Sequence, residues 1–151
     1  MSGKSLVAEA VKKYGANRES LMPILQYMHK KEHYISKEVM QEIATALDIS
    51  SADVYGTASF YSFLDLKERG KNIIRICKTI SCDLKGKDDI IAAIEDKLKI
   101  KLGETTADKK FTFLPTNCLG WCHKAPAMLI NDKAYTELTP ESSVAAIDEY
   151  L

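Results

Sequence analysis

Four cysteines constrain this chain more than any other residues do. They fall in two close pairs, Cys77-x4-Cys82 and Cys118-x3-Cys122, separated by residues 83–117. Pairs at such spacing act together only if the fold returns the second pair to the first. In a reducing compartment, paired cysteines read as metal ligands before they read as disulfides. The start of the chain fits that compartment. Met1-Ser2-Gly3-Lys4-Ser5 leads into a charged helical pattern with no apolar signal-peptide core and no small-residue cleavage site. No apolar run approaches the roughly 20 residues needed to cross a bilayer. A cytoplasmic location without membrane insertion is therefore expected.

Composition sets the class. The chain has 151 residues, 46 % of them apolar and 28 % charged, which is ordinary globular usage and excludes a disordered chain. That length can bury a real core, as one domain or one domain with an extension. Lys plus Arg and Asp plus Glu both total 21, so the formal net charge is zero. A balanced chain is not built to neutralise a phosphate backbone or to coat an anionic membrane.

The first seventy or so residues read as helices. Residues 5–14 place Leu6, Ala10 and Val11 on one face, and Gly15 and Asn17 end the pattern. Ser20 is expected to cap a second helix with Leu21, Ile24, Leu25 and Met28 inside and Pro23 in its first turn. Ser36 and Ser50 are expected to cap two more, each with a hydrophobic staple, Ile35 with Met40 and Ile49 with Val54. The pattern changes near Gly70. Asn72–Cys77, with Ile73, Ile74 and Ile76, reads as a buried strand. A helix over 87–99, strands at Phe111–Leu114 and Ala127–Ile130, a turn at Asn131–Lys133, a short strand at Ala134–Tyr135 and a helix from Pro140 follow. Val144, Ala145, Ile147 and Leu151 are expected to face inward in that last helix. The fold class is α+β, an N-terminal helical bundle over 1–70 followed by a thioredoxin-like domain over 71–151.

Each cysteine pair follows a predicted strand. If the two strands are neighbours in one sheet, both loops leave it at the same end and four thiolates converge. An all-sulfur shell suits an iron–sulfur cluster or a zinc ion. Zinc knuckles more often use C-x2-C, and a domain with its own core does not need a metal to fold, so the spacing leans toward the cluster and leaves zinc open. A [2Fe–2S] cluster takes four thiolates, offers substrate no open position and passes single electrons. Thr79 and Ser81 in the first loop and Gly120 in the second are candidates to hydrogen-bond the sulfurs or to wrap backbone around the site. Lys78 and Lys85 read as solvated surface.

Other motifs are weaker. There is no C-x-x-C for dithiol exchange and no Gly-rich phosphate loop. His29 and His33 are one helical turn apart without a third ligand in view and read as surface residues, while His123 directly after Cys122 reads as a neighbour of the ligands or a surface residue rather than a ligand, since four cysteines suffice. Pro126 precedes a predicted strand where a cis bond is common in thioredoxin-like folds. Residues 43–55 have the rhythm of a helix-turn-helix, but 50–64 contain no Lys or Arg to meet DNA, so a helical hairpin is preferred. Phe60 and Phe63 read as core, Tyr55 and Tyr61 as candidates for an interface.

Several stretches resemble one family. They are Leu21-Met22-Pro23-Ile24-Leu25-Gln26, Asp53-Val54-Tyr55-Gly56-Thr57-Ala58-Ser59-Phe60-Tyr61, Ile76-Cys77-Lys78-Thr79-Ile80-Ser81-Cys82, and Cys118-Leu119-Gly120-Trp121-Cys122 with Ala125-Pro126 after it. Together they resemble the small [2Fe–2S] subunit of the NADH-dehydrogenase module of respiratory complex I. That module recurs in NAD-linked hydrogenases, electron-bifurcating ones included, and in NAD-linked formate dehydrogenases. The resemblance implies that Cys77, Cys82, Cys118 and Cys122 ligate one [2Fe–2S] cluster. It implies docking on a flavoprotein subunit that binds FMN and NAD(H), among further iron–sulfur subunits, and electron exchange with that flavin. No nicotinamide site and no independent active site are expected on the chain itself. Trp121 and His123 depart from the small residues expected beside Cys122. Short ends favour a compact soluble complex such as an electron-bifurcating hydrogenase over a membrane-bound respiratory complex. The competing readings are a zinc-stabilised protein-interaction module and a free-standing thioredoxin-like ferredoxin.

Overall fold

A computed structural model describes residues 3–151, with side chains from Leu6 onward. Met1 and Ser2, part of the stretch read as lacking a leader, lie outside the described residues. The chain divides into two compact units, Met1–Glu68 and Arg69–Leu151.

The first unit is helical: α1 Gly3–Tyr14, α2 Leu21–Glu32, α3 Lys37–Leu47 and α4 Ser51–Phe60. The Ser36 hydroxyl accepts from Val39 N–H at 3.3 Å, and the Ser50 hydroxyl accepts from Asp53 N–H at 3.1 Å, so both expected caps form. Ser20 does something else. A 3-10 turn at Arg18–Ser20 precedes α2 and holds Ser20 in helical geometry, where its hydroxyl donates to Tyr14 C=O at 2.7 Å instead of capping α2. Asn17 caps that turn by accepting from Ser20 N–H at 3.0 Å. Leu6, Ala10, Ile24, Leu25, Met28, Ile43, Leu47, Val54 and Ala58 form one core with their neighbours. His29 is half-buried, with Nε2 3.4 Å from the buried Asp65 carboxylate, while His33 is exposed in left-handed backbone ending α2.

The aromatic expectation needs correcting. Phe60 is 80 % exposed and Phe63 46 %, so neither is core. The only buried residues of α4 are Val54 and Ala58, one turn apart, and a stripe that narrow leaves the end of the helix outside.

The second unit is a four-stranded sheet with three helices. In order it runs β1 Asn72–Cys77, α5 Ile80–Asp83, α6 Lys87–Leu98, β2 Phe111–Thr116, β3 Met128–Ile130, β4 Lys133–Tyr135 and α7 Pro140–Asp148. The spatial order is β2-β1-β3-β4. β1 pairs parallel with β2 and antiparallel with β3, and β3 pairs antiparallel with β4. Flanked on both sides, β1 is buried along its whole length, as its β-branched run requires. Ile74, Ile76, Phe111, Phe113, Met128 and Ile130 join Ile90 and Ile94 of α6 and Ala146 and Ile147 of α7 in one core.

Two details matter for the sheet. A side chain on Gly70 would place Cβ 2.7 Å from the Phe111 carbonyl carbon, so only glycine lets the chain enter β1 beside β2. In α7, Thr139 forms a capping box with Ser142, and the buried side is Ser143, Ala146 and Ile147. Ala145 and Leu151 are exposed, contrary to expectation, because the inward face starts at Ser143, whose hydroxyl is satisfied by Pro140 C=O at 2.7 Å. Among the described residues no helix is long and apolar enough to cross a membrane.

Candidate metal centre

The parallel pairing of β1 with β2 puts Cys77 opposite Thr116, so the loops after both strands leave the same end of the sheet. Cys77 closes β1, with its N–H donating to Ala127 C=O at 3.1 Å. The chain then turns at Thr79 into α5, whose first turn is closed by Cys82 N–H on Thr79 C=O at 3.0 Å. This single turn was not foreseen, being too short to carry a periodic signal. It sets Cys82 back toward Cys77, and the two thiols hydrogen-bond. Both are buried, at 1 % and 2 % exposed, and pack with Ala125 and Leu119.

The second pair lies in the loop after β2. Gly120 takes left-handed backbone, φ +85, which folds the loop back so that its N–H donates to Cys118 Sγ at 3.3 Å. Cys118 Sγ and Cys122 Sγ are 3.2 Å apart, and both residues are exposed. A short 3-10 turn, Cys122–Lys124, and a cis Ala125–Pro126 bond lead into β3. His123 stacks on Trp121, ring centroids 5.9 Å apart.

The pairs meet. Cys122 acts electrostatically on Cys82, and Cys77 on both Cys118 and Cys122. The Thr79 hydroxyl lies 3.1 Å from Cys77 Sγ and also bonds Cys118, so one side chain bridges the two pairs. The Ser81 hydroxyl bonds Cys122. Thr79, Ser81 and Gly120 thus each touch a thiol. Sequence reasoning missed two further donors, the backbone N–H groups of Leu119 toward Cys77 and of Ala127 toward Cys82. No side-chain pattern encodes a backbone donor. Lys78 and Lys85 are exposed.

The thiols split in acidity. Burial opposes ionisation of Cys77, but hydrogen bonds from the Thr79 side chain and backbone, Cys82 and Leu119 outweigh it and lower the pKa. Burial first, and the bond to Cys77 second, push Cys82 up to about 11. Gly120 N–H and then Cys122 lower Cys118, while the bond to Cys118 raises Cys122. Each pair therefore holds one thiol shifted down and one shifted up from the ordinary cysteine value. Among the described residues, no three His, Cys, Asp or Glu side chains form a set that could hold a single metal ion. The chemistry of the donor set, four thiols on neighbouring loops with N–H and hydroxyl donors beside them, fits an all-thiolate iron–sulfur group.

Comparison with known proteins agrees with this geometry. Residues 7–151 match the family described as thioredoxin-like [2Fe–2S] ferredoxin. The chain is 44 % identical over 126 residues to the E subunit of NADH-quinone oxidoreductase from Buchnera aphidicola of Acyrthosiphon pisum, covering 83 % of this chain and 78 % of that one. It is 37 % identical over 137 residues to the Escherichia coli K12 counterpart, covering 91 % of this chain and 82 % of that one. Among solved structures, an NAD+-reducing [NiFe]-hydrogenase in its air-oxidised state is similar in fold, with a TM-score of 0.72 at 24 % identity. The match covers 83 % of this chain but only 22 % of the hydrogenase chain.

Proposed function

Because the chain belongs to the thioredoxin-like [2Fe–2S] ferredoxin family, whose cofactor is a [2Fe–2S] cluster, we propose that Cys77, Cys82, Cys118 and Cys122 are the four ligands. We further propose that the chain is an electron-transfer subunit of an NAD(H)-linked multi-subunit oxidoreductase, exchanging electrons with the FMN of a partner flavoprotein subunit. What carries the reading is the parallel β1–β2 pairing, which brings two thiol pairs to one end of one sheet.

The group supplies one-electron chemistry when bound. The protein supplies the rest. Cys77 and Cys82 hold from inside the fold, and Cys118 and Cys122 from the exposed loop. Thr79, Ser81 and the backbone N–H groups of Leu119, Gly120 and Ala127 donate toward sulfur and stabilise added negative charge, the direction that raises a potential. Residues 71–151 serve as the cluster domain. Named relatives include quinone oxidoreductase subunits, and the fold neighbour is a hydrogenase. The assignment therefore rests on the step they share, at the NAD(H) side, and a bifurcating hydrogenase is one member of that set.

The test is an absorption spectrum of anaerobically purified protein with iron and zinc assayed on the same sample. A red-brown protein with about two irons per chain, bleached by dithionite, is expected. A colourless protein with one zinc and no iron overturns the electron carrier in favour of an interaction module.

A further inference from the structure

Helices α1 and α3 pack together in the helical unit, and a groove of about 810 Å³ opens between them. Its walls carry small residues, Ala8 on α1 and Thr45 and Ala46 on α3, where longer side chains would fill the space. Val7 and Val11, one turn apart on α1, give it an apolar lining. Glu42 lines the facing wall from α3. Its Oε2 is buried, with no hydrogen-bond partner among the described residues. A buried acceptor left unmet costs free energy, and a charged one costs more than a neutral one.

The other polar groups of the groove do not meet this oxygen. Lys12 lines the groove from α1 without bonding to it. The Thr45 hydroxyl donates to Gln41 C=O at 3.0 Å. The Glu38 carboxylate is held at the start of α3 by its own backbone N–H and the Ser36 hydroxyl. Glu42 is thus the acceptor that a bound group finds open. Size then selects the occupant. At 1.5 Å per residue, the described wall of α1 from Val7 to Lys12 spans only about 8 Å. A helix laid in a groove anchors over two turns, about 11 Å, and that wall is too short for it. The volume instead falls within the roughly 300–1,000 Å³ of small-molecule sites.

We propose that the groove between α1 and α3 binds a small amphipathic cation, an alkyl or aryl ammonium or guanidinium, whose apolar body lies against Val7, Val11 and Ala46 and whose N–H donates to Glu42 Oε2. A cationic donor is favoured over a neutral one because a hydrogen bond between two charged groups is roughly twice as strong. An anion of the same shape meets Glu38 and Glu42 on one wall and is disfavoured. All these residues belong to the helical unit, so the proposal does not depend on what the cysteines hold.

The experiment uses the full chain, labelled with nitrogen-15, and three probes that share one apolar tail: hexylammonium, 1-hexanol and hexanoate. Binding is followed by amide chemical shifts. Hexylammonium is expected to move the amides of Val7, Ala8, Val11, Thr45 and Ala46 and to saturate, with 1-hexanol at least about tenfold weaker and hexanoate weaker again. Glu42→Gln keeps the shape and removes the charge, and should bring hexylammonium to within about twofold of 1-hexanol. Ala46→Leu fills the groove from an exposed helix position and should abolish the response to all three probes. Should Glu42→Gln fail to fold, the three probes on the parent and Ala46→Leu decide. Equal responses to hexylammonium and hexanoate, unchanged binding in Glu42→Gln or Ala46→Leu, or shifts confined to other residues overturn the proposal. If the groove amides move on raising the protein concentration alone, the groove is a contact between copies and the proposal falls.

Discussion

The two cysteine pairs sit at the ends of neighbouring strands yet in different surroundings. Cys77 and Cys82 are buried, and burial is the first influence on the acidity of both. Cys118 and Cys122 are exposed, and there the first influences are hydrogen bonds, from Gly120 N–H in one case and from the partner thiol in the other. The first pair is held by the end of a central strand and a helical turn, the second by a loop folded back around Gly120. Regular structure thus holds one pair from within the fold, and a loop holds the other at the surface.

The largest contrast should come from removing ligands. Cys77→Ala leaves Cys82 buried without its partner thiol, so no replacement ligand is at hand. We expect purified Cys77→Ala to hold under about a tenth of the parent's iron, a loss that also removes the stability metal binding contributes. Cys122→Ser places an oxygen ligand where solvent can assist, and should retain a measurable, altered cluster spectrum. Equal iron content in the two variants would erase the distinction between inner and outer pairs.

A second contrast needs no metal. In the cluster-free protein, iodoacetamide should modify Cys118 and Cys122 at least about 100-fold faster than Cys77 and Cys82, because access adds to the lowered pKa of Cys118. Under diamide, the 118–122 disulfide should form first, since those sulfurs already stand 3.2 Å apart and exposed. Mass mapping of the labelled peptides reads both outcomes. Comparable labelling of all four thiols would show that the inner pair is open in solution.

Gly120 gives a smaller effect on the outer pair alone. Its φ of +85 strains any other residue, while nothing lies within 4 Å of an added Cβ, so Gly120→Ala is a conformational cost without a clash. A destabilisation of about 1 kcal/mol is expected. Read as a melting temperature, the loss should be confined to the cluster-loaded form if the loop is ordered chiefly by its ligands.

How much of this was legible in the sequence depended on range. Ser36 and Ser50 announced their helices because a cap and a staple are local, and Asn72–Cys77 announced a strand because a β-branched run is local too. Convergence of the pairs was only conditional, since it required β1 and β2 to be parallel neighbours. Ser20 misled because a 3-10 turn stands before α2. Phe60 and Phe63 misled because hydrophobicity does not say whether the covering surface belongs to the same chain. Leu119 and Ala127 contribute through the backbone, so their identities carry no signal.

The finest contrast compares two hydroxyls. Thr79 bonds Cys77 of the inner pair and also reaches Cys118, whereas Ser81 bonds Cys122 of the outer pair. Losing a hydrogen bond to sulfur lowers a cluster's potential, because the reduced form carries the extra negative charge. A bond worth about 0.5–1.5 kcal/mol corresponds to roughly 20–60 mV for one electron. Thr79→Val should show a shift in that range, since water cannot replace the donor at a buried sulfur. Ser81→Ala should shift it by less than about 20 mV, since solvent can replace the donor at an exposed sulfur. Redox titration followed by absorbance distinguishes them. Shifts of equal size would mean that the two pairs share one solvent environment once the cluster is in place, and that the asymmetry belongs to the metal-free protein alone.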